Sequence, residues 1–165
     1  SAGSFDGVKF GGADLRRTDF RGTSLVEAGL EFVLLDAADF GSADLSYATV
    51  LPNSAVHANF TRAVLARAIG NGANFDGAIL GASRAEGANF TGASFVGAYL
   101  ADADLTGASF AYANLSNANL TGANVSSATF FGAIWNNTIC PDGTNSDSKP
   151  QCGLQQHTRT APPVD

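Results

Sequence analysis

One feature limits what this chain can fold into more than any other: a five-residue period that runs in a single register from the N-terminus to about Cys140. Of the 28 positions divisible by five between 5 and 140, ten are Phe and eleven are Leu. Two residues before these centres the side chain is small, with Ala in 20 of the 28 units. The unit reads Ala-Asp/Asn-Leu/Phe-polar-Gly/polar, as in Ala88-Asn89-Phe90-Thr91-Gly92 and Ala103-Asp104-Leu105-Thr106-Gly107. A period of five matches neither the 3.6 of an α-helix nor the alternation of a long strand, so each unit must be a short extended segment followed by a turn.

In an extended tripeptide the outer two residues point to one side and the middle residue to the other. The small and large apolar residues therefore face inward, the residue between them faces solvent, and the last two residues make a corner. Gly22, Gly72, Gly92, Gly107 and Gly122 occupy the final place, as expected of a type II turn whose third residue needs positive φ. Pro52 stands at the same place and predicts another turn type there.

The pattern resembles the pentapeptide-repeat family over roughly residues 3 to 140. The resemblance implies an all-β fold, a right-handed quadrilateral parallel β-helix with four units per coil. Twenty-eight units then make seven coils, a solenoid of about 34 Å at about 4.8 Å per coil. Residues twenty apart should stack, giving one column of Phe20, Phe40 and Phe60 continued by Leu80, Leu100 and Leu120, and another of Phe90, Phe110 and Phe130. Such a core, each buried Phe or Leu contributing roughly 1.5 to 3 kcal/mol, needs no cofactor or metal. Three centres are weak, Ala55, Gly70 and Ala85. Local repacking is the expected remedy, with Ile69 turning inward beside Gly70; a ligand-admitting defect is the alternative.

After Trp135, which supplies a last large core residue, the repeat gives way to Asn136-Asn137-Thr138-Ile139-Cys140-Pro141-Asp142-Gly143-Thr144-Asn145-Ser146-Asp147, then Cys152 and a polar tail. This divides the chain into a β-helix, 1–140, and a C-terminal cap and tail, 141–165. A Cys140–Cys152 disulfide would close a short loop worth about 3 kcal/mol in the chain-entropy model. The Cys-Pro-Asp-Gly-Thr-Asn-Ser-Asp segment is similar to the ending of exported pentapeptide-repeat proteins, which implies an oxidising compartment: secreted, periplasmic or lumenal. Two free thiols in a cytoplasmic protein remain the alternative, and Cys140, Cys152 and His157 lack a recognised four-ligand zinc spacing. At the other end the repeat begins almost at once, so a preceding segment or a second molecule is expected to cover the first coil, the latter as an end-to-end homodimer.

No run of 18 apolar residues predicts a membrane span, and no basic patch leads into an apolar N-terminal stretch, so a signal peptide is not expected in this sequence. Fifteen acidic against nine basic side chains give a net charge of −6, which argues against direct nucleic-acid binding. His57 falls at a turn and His157 in the tail, neither beside a nucleophile, so an enzyme is not expected. Asp14, Asp39, Asp44 and Asp104 occupy outward middle places, where solvated or turn-capping carboxylates are expected.

Outward apolar residues suggest a binding surface: Phe32, Leu51, Tyr112 and Phe131 on one face, Ile79 and Tyr99 on another. A regular threonine face of the ice-binding kind is interrupted, since Gly81 and Ala101 separate Thr61 from Thr121. The expected function is a non-enzymatic rigid solenoid for protein interaction or structural support, its protein partner unidentified. The alternative is a DNA mimic that binds DNA gyrase or a related type II topoisomerase, as some members of the family do. Duplex DNA carries about one charge per 1.7 Å, a density this sequence does not approach.

Overall fold

The computed structural model describes residues 3–51 and 54–154. Within the repeat, the middle residue of each unit forms an isolated parallel bridge with the residue twenty positions on: Ser4 with Ser24, Lys9 with Gly29, Asp14 with Leu34, Asp19 with Asp39, and so on to Asn119 with Ile139. Twenty residues are four units, so the chain closes one turn of a β-helix every four pentapeptides. Each side carries one bridged residue, too short to form a continuous strand.

The backbone shows why five residues suffice. Phe5 donates its N–H to the Ser24 carbonyl at 2.7 Å, Ser24 donates to the Gly3 carbonyl at 3.0 Å, and Gly7, at the corner, donates to the Val26 carbonyl at 2.8 Å. A fourth bond closes the corner itself, from the Val8 N–H to the Phe5 carbonyl at 3.0 Å. The same set recurs along most of the repeat, so the backbone polar groups are bonded from turn to turn. The third turn residue has positive φ, as anticipated, but glycine is not required there. Arg17, Phe32, Tyr47, His57 and Tyr112 all hold φ between 56° and 61°. A left-handed residue costs roughly 1–2 kcal/mol, and here the corner N–H is fixed by its bond to the neighbouring turn, which over-determines the conformation. Pro52 lies outside the described residues.

The interior follows the anticipated columns and adds one. Phe20, Phe40 and Phe60 stack with ring centroids 5.1 and 5.0 Å apart and planes within 4° of parallel. Phe110 and Phe130 stack at 5.3 Å, and Phe90 meets Phe110 at the same distance with rings tilted by 40°. The additional column is Phe75 on Phe95, stacked at 4.9 Å. Trp135 caps the Phe130 ring at 5.0 Å.

This column also disposes of the apparent hole at Gly70. The Phe75 and Phe90 rings, perpendicular to one another with centroids 5.6 Å apart, close over it. A Cβ built on Gly70 would lie 3.0 Å from Phe90 Cδ1 and 3.3 Å from Phe75 Cε2. Ile69 does not turn inward: it is 40% exposed. Its N–H is held by the Ala48 carbonyl at 2.9 Å and its carbonyl by the Val50 N–H at 2.7 Å, so inverting the residue would break the ladder. Ala55 and Ala85 are fully buried as well.

At the N-terminal end Phe5, Phe10 and Leu15 are half-buried, whereas Leu25, Leu30 and Leu35 one turn later are fully enclosed. At the other end Cys140 takes the next place in the Phe20–Leu120 column and is fully buried. The chain then folds back on itself. Ile139 pairs antiparallel with Asn145, the Cys140 N–H bonds the Thr144 carbonyl, and buried Thr138 donates its hydroxyl to the Leu115 carbonyl at 2.7 Å. Ser146 donates its hydroxyl to the Trp135 carbonyl. A 3-10 turn at Pro150–Gly153 returns Cys152 to Cys140, with the sulfurs at bonding distance and the Cα atoms 5.3 Å apart. No helix among the described residues is long and apolar enough to cross a membrane.

Candidate interaction surface

The outer surface is built from the two kinds of residue that the core leaves over, the middle residue of each side and the corner pair. Polar side chains at the middle positions mostly serve their own corner. The carboxylates of Asp39, Asp44 and Asp104 accept the N–H two residues on, and in the last two the neighbouring Ser46 or Thr106 hydroxyl as well. Asn59, Asn114 and Asn119 do the same through Oδ1. These are Asx turns, the capping role expected of such residues.

Corner carboxylates act between turns, which the five-residue pattern alone did not reveal. Asp6 accepts the Ser24 hydroxyl and the Val26 N–H, Asp36 the Ser54 hydroxyl and the Val56 N–H, and Asp76 the Ser94 hydroxyl and the Val96 N–H. The recurring signal, Asp followed by Ser at +18 and Val at +20, is legible once the twenty-residue turn is known. The Ser24 hydroxyl is the main cause of a lowered Asp6 pKa.

Some of the charged groups are paired. Arg16 embraces Asp14 with two bonds of 2.8 and 2.7 Å, and Arg21 embraces Asp19 in the same way while reaching Asp39 at 3.7 Å. Their guanidinium bonds hold the Asp14 and Asp19 carboxyls down at about 2. Arg84 pairs with Glu86, and Lys149 with Asp142, whose carboxyl is pushed far below its usual range mainly by that Lys149 bond.

A shallow groove on one corner is lined by Asp14, Arg16, Arg17, Asp36, Ala37, Val56 and His57. Among the described residues its lining includes no Ser, Thr or Cys beside His57. His157 lies outside the described residues. Cys140 and Cys152 are joined to each other, so neither thiol is free.

Of the six apolar residues singled out, five are strongly exposed: Phe32 at 71%, Tyr112 at 61%, Phe131 at 51%, with Tyr99 and Ile79 close behind. Leu51 is half-buried. They form three separate pairs rather than one stripe. Phe32 and Leu51 are joined across a corner, the Phe32 N–H bonding the Leu51 carbonyl at 2.9 Å. Tyr112 and Phe131 occupy the same corner four turns further on, with the Tyr112 N–H on the Phe131 carbonyl and the rings perpendicular at 5.4 Å. Ile79 and Tyr99 are bridged on another side. Leu34, Tyr47, Ile69 and Ile134 are further exposed apolar residues, and the Arg67 guanidinium lies 5.9 Å from the centre of the Tyr47 ring. Their positions, middle or corner, already mark them as outward in the sequence.

Comparison with known proteins agrees with this architecture. The family pattern described as pentapeptide repeats matches in eight copies over residues 4–40, 55–84, 71–107 and 98–137. No curated protein matches the chain. Among solved structures, the full-length plasmid-mediated fluoroquinolone resistance protein QnrB1 is 20% identical, covering 83% of this chain and 81% of its own, with a TM-score of 0.51. HetL, a pentapeptide repeat protein involved in heterocyst differentiation regulation in the cyanobacterium Nostoc, is 22% identical over 87% of this chain and 92% of its own, with a TM-score of 0.48. A pentapeptide repeat protein of the Arabidopsis thaliana thylakoid lumen is 24% identical over 90% of this chain and 72% of its own, with a TM-score of 0.30. With a twenty-residue register, an alanine and phenylalanine/leucine interior and eight matched copies, the chain belongs to the pentapeptide-repeat family.

Proposed function

We propose that this protein is a non-enzymatic rigid rod of seven right-handed coils, closed by a disulfide-stapled cap within 141–165, that presents apolar side chains to a protein partner outside the cytosol. The observation that carries the reading is the placement of Phe32 and Tyr112 at corners where their own N–H groups are bonded to the adjacent turn, with Phe131 exposed beside Tyr112 and accepting its N–H. Little backbone freedom is lost when a ring on so fixed a backbone docks, which lowers the ordering cost of binding. The cysteine pair supports an oxidising compartment. An end-to-end homodimer through the first coil, where Phe5, Phe10 and Leu15 are only half-buried, fits the same architecture.

The test is site-specific photo-crosslinking in the native host, with the crosslinker placed at residues 32, 51, 79, 99, 112 and 131 in turn and at 46 and 121 as controls. The reading predicts one protein species captured from at least one apolar pair and from neither control. Equal capture from the controls, or none anywhere, contradicts it. The DNA-mimic reading draws on the net charge of −6. The ion pairing of Asp14, Asp19, Asp39, Glu86 and Asp142 counts against it, because a mimic needs an unneutralised acidic face. Inhibition of gyrase supercoiling by the purified protein would restore it.

A further inference from the structure

The first coil ends in a row of backbone groups that point off the rod. In the second coil Ser24, Gly29, Leu34 and Asp39 each direct both N–H and C=O at the coil before. The Ser24 N–H reaches the Gly3 carbonyl while the Ser24 carbonyl takes the Phe5 N–H, and the other three repeat this on their own sides. Ser4, Lys9, Asp14 and Asp19 hold the same places one coil earlier. Their N–H and C=O groups therefore face outward, and none has a backbone partner among the described residues. A residue with both groups on one edge can exchange both bonds with another such residue in an antiparallel pair, so this end is complementary to itself. The inner side chains around it are also uncovered: Val8 is 40% exposed, and Phe5, Phe10 and Leu15 are half-buried. At the opposite end the cap takes one side of the last coil, with Ile139 paired antiparallel to Asn145 and the Cys140 N–H on the Thr144 carbonyl. Head-to-tail stacking of rods is blocked there.

We propose that a second copy of this chain docks on the first coil about a two-fold axis, with Lys9 of each copy opposite the partner's Asp14 and Ser4 opposite the partner's Asp19. This rests on the end-to-end homodimer reading above and supplies its register and contacts. A two-fold lying across the end reverses the partner's chain direction, so the four sides meet antiparallel. It can cross the square through either pair of opposite sides or either pair of opposite corners. Shape selects one of these. The coil climbs about 4.8 Å in a circuit, leaving a step at the corner between the Asp19 side and the Ser4 side. Two ramps of the same hand set face to face stay evenly spaced all the way round only when the axis passes through that step. Any other axis displaces at least one side by a full coil. Charge selects the same axis independently. The side-centred axes oppose Asp14 to Asp14 or Lys9 to Lys9, and the other corner axis opposes Asp14 to Asp19; the axis through the step makes no like pair. Lys9 is in no ion pair among the described residues, so it is available to the Asp14 carboxylate beside the Arg16 already bound there. In this register Phe10 faces the partner's Ala13 and Phe5 the partner's Thr18, so each ring meets a short side chain. An unrelated partner would need four edges on the same square and pitch, which this end itself supplies. The end is small beside the roughly 800 Å² per partner of a standard interface, so the dimer should be weak, dissociating in the range of about 10 µM to 1 mM.

The experiment is sedimentation of the intact protein from about 1 µM to about 1 mM, followed by cysteine crosslinking between copies. Self-association is expected to stop at the dimer. Lys9→Cys and Asp14→Cys proteins, mixed and mildly oxidised, should form a disulfide-linked heterodimer, because an antiparallel bonded pair sets the Cα atoms about 5.5 Å apart, within disulfide reach. Neither variant should link to itself. Lys9→Pro removes an N–H that no bond within the described chain uses, and should weaken the dimer about tenfold or more while circular dichroism and melting match the parent. If Lys9→Pro fails to fold, the cysteine mixture decides alone. A protein that stays monomeric at about 1 mM overturns the proposal and the end-to-end homodimer with it, and assembly beyond the dimer does the same. A dimer in which Lys9→Cys or Asp14→Cys links to itself overturns this register and leaves an end-to-end homodimer of another geometry. A dimer with no link in the mixture, or one undiminished in folded Lys9→Pro, overturns both. Crosslinks from the exposed apolar pairs would leave the protein-partner reading standing in every case.

Discussion

Gly70 gives the sharpest test of how this core is packed. Read as a gap in the column of large residues, it should accept a methyl group to advantage. Filling a hole would gain about 0.8 kcal/mol for the buried carbon, and replacing glycine by alanine would gain about 0.4–1 kcal/mol more by restricting the unfolded chain. The structure predicts the opposite sign. An alanine Cβ at 70 meets Phe90 Cδ1 at 3.0 Å, Phe90 Cε1 at 3.2 Å and Phe75 Cε2 at 3.3 Å. Neither ring can withdraw. Phe75 is stacked on Phe95 at 4.9 Å, Phe90 is wedged against Phe95 at 5.2 Å, and each of the three is at most 1% exposed. Overpacking a locked site costs about 1–3 kcal/mol, so after the entropic gain Gly70→Ala should destabilise by roughly 0.5–2 kcal/mol. Gly70→Leu, with three more carbons to place, should cost more than Gly70→Ala. Urea unfolding followed by far-ultraviolet circular dichroism and by Trp135 fluorescence measures this, with coincidence of the two probes establishing one transition. A Gly70→Ala variant with a raised midpoint and unchanged slope would refute the packing argument.

Phe40→Ala, which removes a fully buried ring stacked on both sides, should cost about 3–5 kcal/mol in the same assay. Cys152→Ser should lower stability by about 3 kcal/mol in the chain-entropy model, and reductant should destabilise the parent protein while leaving the variant unmoved. Asp76→Ala should cost about 1–3 kcal/mol by releasing the Ser94 hydroxyl and Val96 N–H across two turns. Asp6, Asp14, Asp19, Asp104 and Asp142 all have carboxyls below their ordinary value of 3.8. Their contribution is fully present above that value and is lost as pH falls through the folded values, which for Asp14 and Asp19 are about 2. Melting temperature should therefore stay flat above about pH 5 and fall between about pH 4 and pH 2.

Why some of this was legible in the sequence and some was not has a physical basis. The period of five states directly which residues face inward, because the corner and ladder bonds involve only backbone and recur wherever the spacing recurs. Phe20, Phe40 and Phe60 could thus be stacked on paper, and the outward Phe32 and Tyr112 identified. Packing across the interior is a different matter. Phe75 and Phe90 sit on different sides of the rod, and their meeting over Gly70 depends on ring orientation, which no column of residues twenty apart displays. Ile69, the apolar neighbour of Gly70 in the chain, reads as its compensation, but the ladder fixes its side chain outward. Glycine at the corners misled in a similar way: it relieves the strain of positive φ, while the bonds that impose the strain act on Arg17 or Tyr112 equally. The Asp36–Ser54–Val56 staple is invisible in the five-residue pattern because it follows the turn length and not the repeat length.

The account rests most heavily on a rod that is closed by its cysteines outside the cytosol, and one measurement addresses that. Protein taken from its native host under non-reducing conditions would be alkylated and weighed intact, before and after reduction. The account predicts no alkylation of Cys140 or Cys152 before reduction and two alkyl groups afterwards. Two free thiols in the native protein would contradict it, and would return the cytosolic reading, with gyrase as the target to assay, to first place.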